Sequence, residues 1–455
     1  MRTTVVLGTC VLLSWVLFLG SCGIYSNYPK RSLEANGLIR AELAAATSSR
    51  APQRWESLFT DPALQALICE GLERNASVSI ARLQLEEAKA TLRGAQLALL
   101  PAANLTGRVN TSSFDGSKPE LGYTVGGEVS WTIDLFGRLN NTRKAAKASL
   151  EERVAYAQAV RVQTISTIAE LYYTLELLDA QVAVTSQNLE SWRQSVATQE
   201  ALFEAGQAQR ANINQAKASL LQAEITYNGL KVQRQKSENS LCALLGRPSA
   251  AVKRGQWGSF VIPERFSIGV PDTMLSQRPD VRQAEASLKR AFYSTNVARS
   301  AFYPSLTLSG SAGWTNSAGS MIVNPGAMIW QVAASVLQPI FNRGQLTSNL
   351  TIAKARQEEA LVQFRQTVLN AGNEVNNALA DLQNARTTRA LETEQVARLE
   401  STLRDTEAQM RYGSGNALQV LMARQSLLNA QLGQLNTAYK ELSSYIKLWA
   451  ALGGR

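Results

Sequence analysis

The chain has 455 residues, 45% of them apolar and 18% charged, with a net charge of +10 and no histidine. That length suits two or three ordinary domains or one elongated one, and the apolar content excludes a disordered chain. The Lys and Arg residues are scattered along helical stretches rather than clustered, so no nucleic-acid footprint is expected. Lacking histidine, the chain lacks the commonest general base and metal ligand. The four cysteines, Cys10, Cys22, Cys69 and Cys242, show no C-x-x-C spacing. No metal, no cofactor and no enzymatic centre are expected.

The chain opens with Arg2 and a mostly apolar run, Val5 to Leu19, interrupted by Gly8, Thr9 and Ser14. Fifteen residues are short for a transmembrane helix and right for a signal-peptide core. The run ends at Leu19-Gly20-Ser21-Cys22, which resembles the bacterial lipobox. Residues 1–21 are therefore read as a signal peptide and Cys22 as the lipidated start of the mature chain. Gly23, where an Asp would retain the protein at the inner membrane, implies release to the outer membrane. The alternative is an ordinary secretory leader in which Cys22 is incidental. One lipid anchor is weak, so a second membrane signal is expected.

After an N-terminal segment, 22–60, Asp61-Pro62 reads as a helix N-cap with Pro at the first helical position. Pro101 ends the helical region. Tyr123 to Leu135 then alternates: Tyr123, Val125, Val129, Trp131 and Ile133 on one face, and Thr124, Glu128, Ser130 and Thr132 on the other. Leu105 to Ser112 is its weaker partner. An apolar and a polar face over about ten residues is the pattern of an outer-membrane barrel strand, although a half-buried soluble sheet alternates in the same way. The connection from Phe114 to Gly122 reads as an exposed loop.

Arg138 to Phe203 contains neither Pro nor Gly, which predicts a helix about 100 Å long at 1.5 Å per residue. Within it Ile168, Leu171, Leu175, Leu178, Val182, Thr185, Leu189, Trp192, Val196, Gln199 and Phe203 step 3,4,3,4, the sign of a left-handed supercoil against partner helices. A turn over Glu204 to Asn212, a shorter helix and a linker over 247–278 follow.

The same order then recurs. Pro101 matches Pro304, and DLFGR (Asp134 to Arg138) matches PIFNR (Pro339 to Arg343). The stretch from Phe203 matches that from Met410, pairing Gly206 with Gly413. Leu306 to Thr315 and Met328 to Val336 alternate like the first hairpin, with a Gly/Ser/Asn-rich connection between them. The domain reading is a first repeat at 61–246 with a β-hairpin at 102–136, and a second at 279–455 with a hairpin at 305–341. Four strands cannot close a barrel, and an open edge cannot sit in lipid. If the strands span a membrane, several chains share one barrel, and three chains would supply twelve strands.

Three stretches resemble the TolC-like outer-membrane factors, in the lipoprotein branch that serves RND efflux pumps. They are Trp55 to Leu64 (WESLFTDPAL, followed by Asn75), Leu275 to Glu285 (LSQRPDVRQAE) and Ala301 to Leu308 (AFYPSLTL). The resemblance spans nearly the whole chain. It implies a mostly α fold with a membrane β-barrel portion: a homotrimer with a 12-stranded barrel and a 12-helix periplasmic barrel. It implies an equatorial belt built from Ser26–Glu56, Gly246–Arg278 and the C-terminal end. It also implies outer-membrane lipid around the barrel, a periplasmic adaptor (membrane fusion) protein and an inner-membrane RND-type transporter as partners, and passive export of drugs, toxins or metals. A type I protein-secretion outlet and a structural trimeric coiled-coil surface protein are the alternatives.

By the same resemblance the two helix turns, with Gly206, Gly413 and Gly415, form the adaptor-contacting and gated periplasmic end. Relatives often carry acids there, in a pattern like D-V-L-D-A, and a ring of like charges selects ions. The matching stretch here is Gln419-Val420-Leu421-Met422-Ala423, with Asn212 in the first repeat and Arg210 and Arg411 nearby. A neutral or mildly basic gate is therefore expected, with Leu421 reserved for packing.

Overall fold

The computed structural model describes residues 28–29, 54–112, 120–207, 209–258, 260, 262, 276–316, 327–412 and 417–454. Three short or medium helices come first: α1 (Trp55–Leu58), α2 (Pro62–Arg74) and α3 (Ala76–Leu97). Strands β1 (Ala102–Ser112) and β2 (Glu120–Ile133) precede helices α4 (Arg138–Glu204) and α5 (Arg210–Leu244). The second half repeats the order with α6 (Pro279–Ser300), β3 (Ser305–Asn316), β4 (Ala327–Leu337), α7 (Gln345–Arg411) and α8 (Ala417–Ala451). The duplication extends to length: α3 and α6 have 22 residues each, α4 and α7 have 67, and α5 and α8 have 35. No helix among the described residues is long and apolar enough to cross a membrane.

Element boundaries follow local chemistry. Asp61 Oδ1 accepts from the Ala63 amide at 2.8 Å, and Pro62 occupies the first helical position of α2. Asn75 makes the joint between α2 and α3. Its N–H donates to Gly71 O at 2.9 Å, closing α2, while its Oδ1 accepts from Val78 N–H at 3.1 Å, capping α3. Its Nδ2 donates to Leu244 O at 2.8 Å, which ties the joint to the end of α5. Asp134 caps α4 by accepting from the Leu139 and Asn140 amides at 3.0 and 2.7 Å. At the far end of α4, Gln207 N–H reaches back to Leu202 O and Gly206 N–H to Phe203 O, with Gly206 at φ +71°. That is a Schellman stop, which needs a residue tolerant of the left-handed region.

One pairing read from sequence is displaced. The residues that precede the two long helices in left-handed geometry are Gly137 (φ +68°) and Gly344 (φ +73°), so Gly137 corresponds to Gly344 and not to Asn342. The connection from β4 to α7 is longer than that from β2 to α4, and Pro339 and Arg343 (φ +44°) fall within it.

The chain divides into two compact units that do not follow the repeats: 1–32, 83–155 and 282–366 form one, and 33–82, 156–281 and 367–455 the other. Each unit draws on both copies because the long helices run from one unit into the other. In the first unit, small buried residues such as Ala146, Ala148, Ala155 and Ala286 let helices approach closely, and Lys289–Glu151 (2.7 Å) and Arg290–Glu152 (3.0 Å) bridge α6 to α4.

The second unit holds the large aromatic core. Phe59, fully buried, packs against Tyr173, Phe260 and Trp449 at ring separations of 6.1–6.5 Å. The WESLF stretch is thus a packing element. Most of the heptad positions of α4 are buried or half-buried, but from Thr164 to Leu178 burial extends around the helix, adding Ile165, Tyr172, Tyr173 and Glu176. The heptad by itself predicts a single stripe; α2, the 246–258 linker and the end of α8 enclose this stretch as well. At the other extreme Phe203, the last heptad position, is exposed.

The RPD stretch has a similar structural role. Arg278, 5% exposed, donates to Ala451 O at 2.5 Å, to Glu374 at 2.6 Å and to both carboxylate oxygens of Asp280. One guanidinium therefore joins the start of α6 to α7 and to the end of α8. Removing it would leave a buried carbonyl and the Glu374 carboxylate without this donor, and Asp280 with the Val281 N–H. Since those carboxylates are partly exposed, Arg278→Ala should cost about 2 kcal/mol rather than the larger penalty of a fully buried pair. Arg278→Lys should recover only part of this, because an ammonium cannot serve the same fork of acceptors. Thermal melts of the purified proteins check both.

Candidate functional site

The four strands form one antiparallel sheet in the order β1-β2-β3-β4. Register decides what the alternating sequence can do, since direct partners across an antiparallel pair share a face. Leu105 pairs with Gly127, and Val109 with Tyr123. Val125 pairs with Trp314, Trp131 with Leu308, and Ile133 with Leu306. Leu306 then pairs with Val336, Gly310 with Val332, and Ala312 with Trp330. Most of the large apolar residues of the four strands thus lie on one face. The other face carries Asn104, Thr106 and Arg108, then Thr124, Glu128, Ser130 and Thr132, then Thr307, Ser309 and Ser311, and finally Gln331 and Ser335. Ile329, opposite Gly313, and Leu337, on the last rung, depart from the pattern.

This apolar face has no cover among the described residues: Leu105 is 85% exposed, Val332 76% and Trp330 73%. A soluble sheet would bury such a face. Among the described residues both outer strands also leave an unpaired edge. The two hairpins meet at Gly126 and Gly313, which pair on the polar face. A Cβ on Gly126 would lie 2.7 Å from Ala312 O, and one on Gly313 2.6 Å from Val125 O, so only glycine allows this approach of β2 to β3. At the base of the sheet Phe136 stacks on Tyr303 with ring centroids 5.1 Å apart, and Trp131 Nε1–H donates to Leu99 O at 3.0 Å.

The helix turns lie in the second unit. Arg210 begins α5 and Arg411 ends α7, both exposed, and Asn212 is half-buried one turn into α5. Gln419 and Met422 are exposed on α8, Met422 at 62%. Leu421 between them is buried with Leu189, Trp192, Val196, Ala216 and Ala223, so it packs α8 against α4 and α5 as its heptad position predicts. Gly206 occupies the first turn as expected. Gly413, Gly415 and Cys22 lie outside the described residues.

Sequence reading missed the side chain that ties the helix pairs together near these turns. Arg424 donates to Ser191 O of α4 and to Glu407 Oε1 of α7, each at 2.7 Å. Its place directly after Gln419–Ala423, off the heptad series, carried no periodic signal. Among the described residues no group of three or more acidic or Cys side chains could hold a metal ion.

An uncovered apolar sheet face with open edges, joined to paired 67-residue helices, is a membrane-channel arrangement, and comparison with known proteins identifies it. A family model described as outer membrane efflux protein matches residues 67–247 and 270–454. The chain belongs to the outer membrane efflux protein family. It is 28% identical over 462 residues to the cation efflux system protein CusC of Escherichia coli K12, covering 98% of this chain and 99% of that one. It is 27% identical to the probable outer membrane lipoprotein SilC of Salmonella typhimurium, with 94% of each covered. It is also 27% identical to the toluene efflux pump outer membrane protein TtgC of Pseudomonas putida, covering 96% and 93%. A solved structure of CusC superposes with a TM-score of 0.85 over 95% of this chain and all of that one, at 26% identity. The fold is TolC-like, and the protein is an outer-membrane efflux channel.

For an outer membrane efflux protein the exposed apolar face is the lipid face. Placing Arg there should cost about 2–4 kcal/mol near the bilayer midplane. Trp330→Arg and Val332→Arg should therefore deplete the protein from outer-membrane fractions, while Gln331→Arg, on the opposite face of the same strand, should leave it in place. Immunoblots of fractionated membranes distinguish the two outcomes.

Proposed function

We propose that three copies of the chain close a twelve-stranded barrel and act as the passive outlet of a tripartite pump. A periplasmic adaptor would dock at the helix turns, and an RND-type transporter in the inner membrane would supply the energy. The observation that carries this reading is the four-stranded sheet with an uncovered apolar face and two open edges, which lipid tolerates only if other chains pair with both. No residue is asked to do chemistry; the wall positions water and solute. Native mass spectrometry of the detergent-solubilised protein should give the mass of three chains, and a monomer or dimer would overturn the proposal. Relatives named for a cation pump and for a toluene pump are almost equally similar, at 28% and 27% identity, so the cargo, a small molecule, is set by the partner transporter.

Cys22 is the lipid attachment point in this reading, supported by its Leu19-Gly20-Ser21 context and by a relative described as a lipoprotein. Tyr28, six residues on, stacks edge-on against Phe292 at 5.6 Å, which holds the chain after the anchor to the unit that carries the strands. Cys22→Ser should lose the mass of the attached acyl chains while the protein remains in the outer membrane through its barrel.

At the periplasmic end Asn212, Gln419 and Met422 line the gate, with Arg210 and Arg411 beside them, and the turns at Gly206, Gly413 and Gly415 meet the adaptor. Exposed Tyr412, Leu418 and Met422 give this end an apolar docking character. With no acidic ring, the wild-type channel should show little cation preference in reversal-potential measurements across planar bilayers. The Gln419→Asp, Met422→Asp double variant should shift the reversal potential towards cation selectivity. Strong cation preference in the wild type would contradict this gate.

A further inference from the structure

The 246–258 linker leaves α5 at Gly246 and runs over a carboxyl pair that the channel reading does not use. Glu176 of α4 is 1% exposed, and its Oε1 meets no hydrogen-bond donor. Asp61, the N-cap of α2, has both oxygens engaged: Oδ1 accepts from Ala63 N–H, and Oδ2 accepts from the Tyr172 hydroxyl. Gly255 of the linker lies directly on this pair. Its N–H donates to the Tyr172 hydroxyl oxygen at 2.8 Å. A Cβ on Gly255 would fall 3.0 Å from Asp61 Oδ2 and 3.1 Å from Glu176 Oε1, so the two carboxyl groups converge on one glycine.

The nearby cations are committed elsewhere. Arg254 of the linker binds Asp179 at 2.5 Å and Glu238 at 2.6 Å. Across the adjoining cavity Arg386 and Arg389 of α7 both bind Glu441 of α8, at 3.2 and 2.8 Å. The groups facing Glu176 are therefore Asp61 from the start of α2, Tyr172, Tyr173 and Asp179 on α4, Arg254 on the linker, and the Arg386–Arg389–Glu441 cluster beyond it. A buried oxygen without a donor, next to a second carboxyl group, lacks what a proton of its own would provide.

We propose that Glu176 carries its carboxyl proton in the folded channel, that this proton seats the inter-repeat linker on the Asp61–Tyr172 pair, and that its loss as pH rises loosens the linker. Burial, and then the neighbouring Asp61, push the Glu176 carboxyl up to about 7 from an ordinary 4.5. When the linker lifts, the carboxyl returns to water and its ordinary value. The seated form thus binds the proton more tightly, and seating is strongest in acid. It weakens as pH rises from about 4.5 to about 7 and is constant above that.

Hydrogen exchange of the 251–258 segment in the intact, detergent-solubilised protein, corrected for intrinsic exchange rates, reads the seating directly. Wild-type protection should fall about tenfold or more between pH 5.5 and 8.5. Glu176→Gln, which keeps the shape and cannot ionise, should abolish that fall. Gly255→Ala, whose methyl group meets both carboxyl oxygens, should lower protection at both pH values. Wild-type protection independent of pH, an undiminished fall in Glu176→Gln, or normal protection in Gly255→Ala would each overturn the proposal.

Discussion

Backbone N–H and C=O groups cannot face hydrocarbon unpaired, and that constraint governs this chain. Its sheet ends on both sides in a strand with an unpaired edge, β1 and β4, so the fold of one chain is unfinished where it meets lipid. Each strand of 11–14 residues is long enough to cross an outer membrane when tilted, and the register brings most of the large apolar residues to the same side. The polar side then becomes a lumen only when other copies complete the wall. A single sheet of this kind in water would be an aggregation hazard.

The duplication serves the same requirement. Two copies with equal helix lengths let two helix pairs reach equally far, which a ring of helices around one axis needs. Identity of sequence is unnecessary for that. DLFGR and PIFNR differ at three of five positions, yet a left-handed glycine precedes both long helices. Equal lengths with unequal side chains allow one copy to pack differently from the other, as at the turns, where Asn212 is half-buried and Gln419 exposed.

In the second compact unit, polar side chains do what apolar packing alone cannot. Asn75, Arg278 and Arg254 each join separate elements through several directed bonds; Asn75 and Arg278 sit at helix ends, where backbone groups lack partners, and Arg254 joins the linker to α4 and α5. Arg254 and Arg234 together hold the Asp179 carboxyl below its ordinary value, even though burial acts in the opposite direction. Glu170, by contrast, is pushed up chiefly by burial, against Lys447 and Ser443. The same unit thus holds carboxyl groups shifted in opposite directions by whether a guanidinium reaches them.

Sequence alone determined the strands, the long helices and their order, but not the break between α2 and α3 at Asn75. Proline at 62, 101, 279 and 304 sets boundaries through its own backbone geometry, the long helices show by the absence of Pro and the near absence of Gly (Gly372 alone in α7), and the strands show by alternation. The packing role of Leu421 was also legible, because heptad position is a one-dimensional property. What only the tertiary structure decided are contacts between residues distant in the chain. These include the glycine contact of β2 with β3, the enclosure of α4 between Thr164 and Leu178, the Arg424 link across three helices, and the convergence of Asp61 and Glu176 on Gly255. Period and propensity report which face of one element is apolar. They carry no information about which polar side chain from another element will arrive there, and the neighbours, not the local sequence, set a buried carboxyl group's charge.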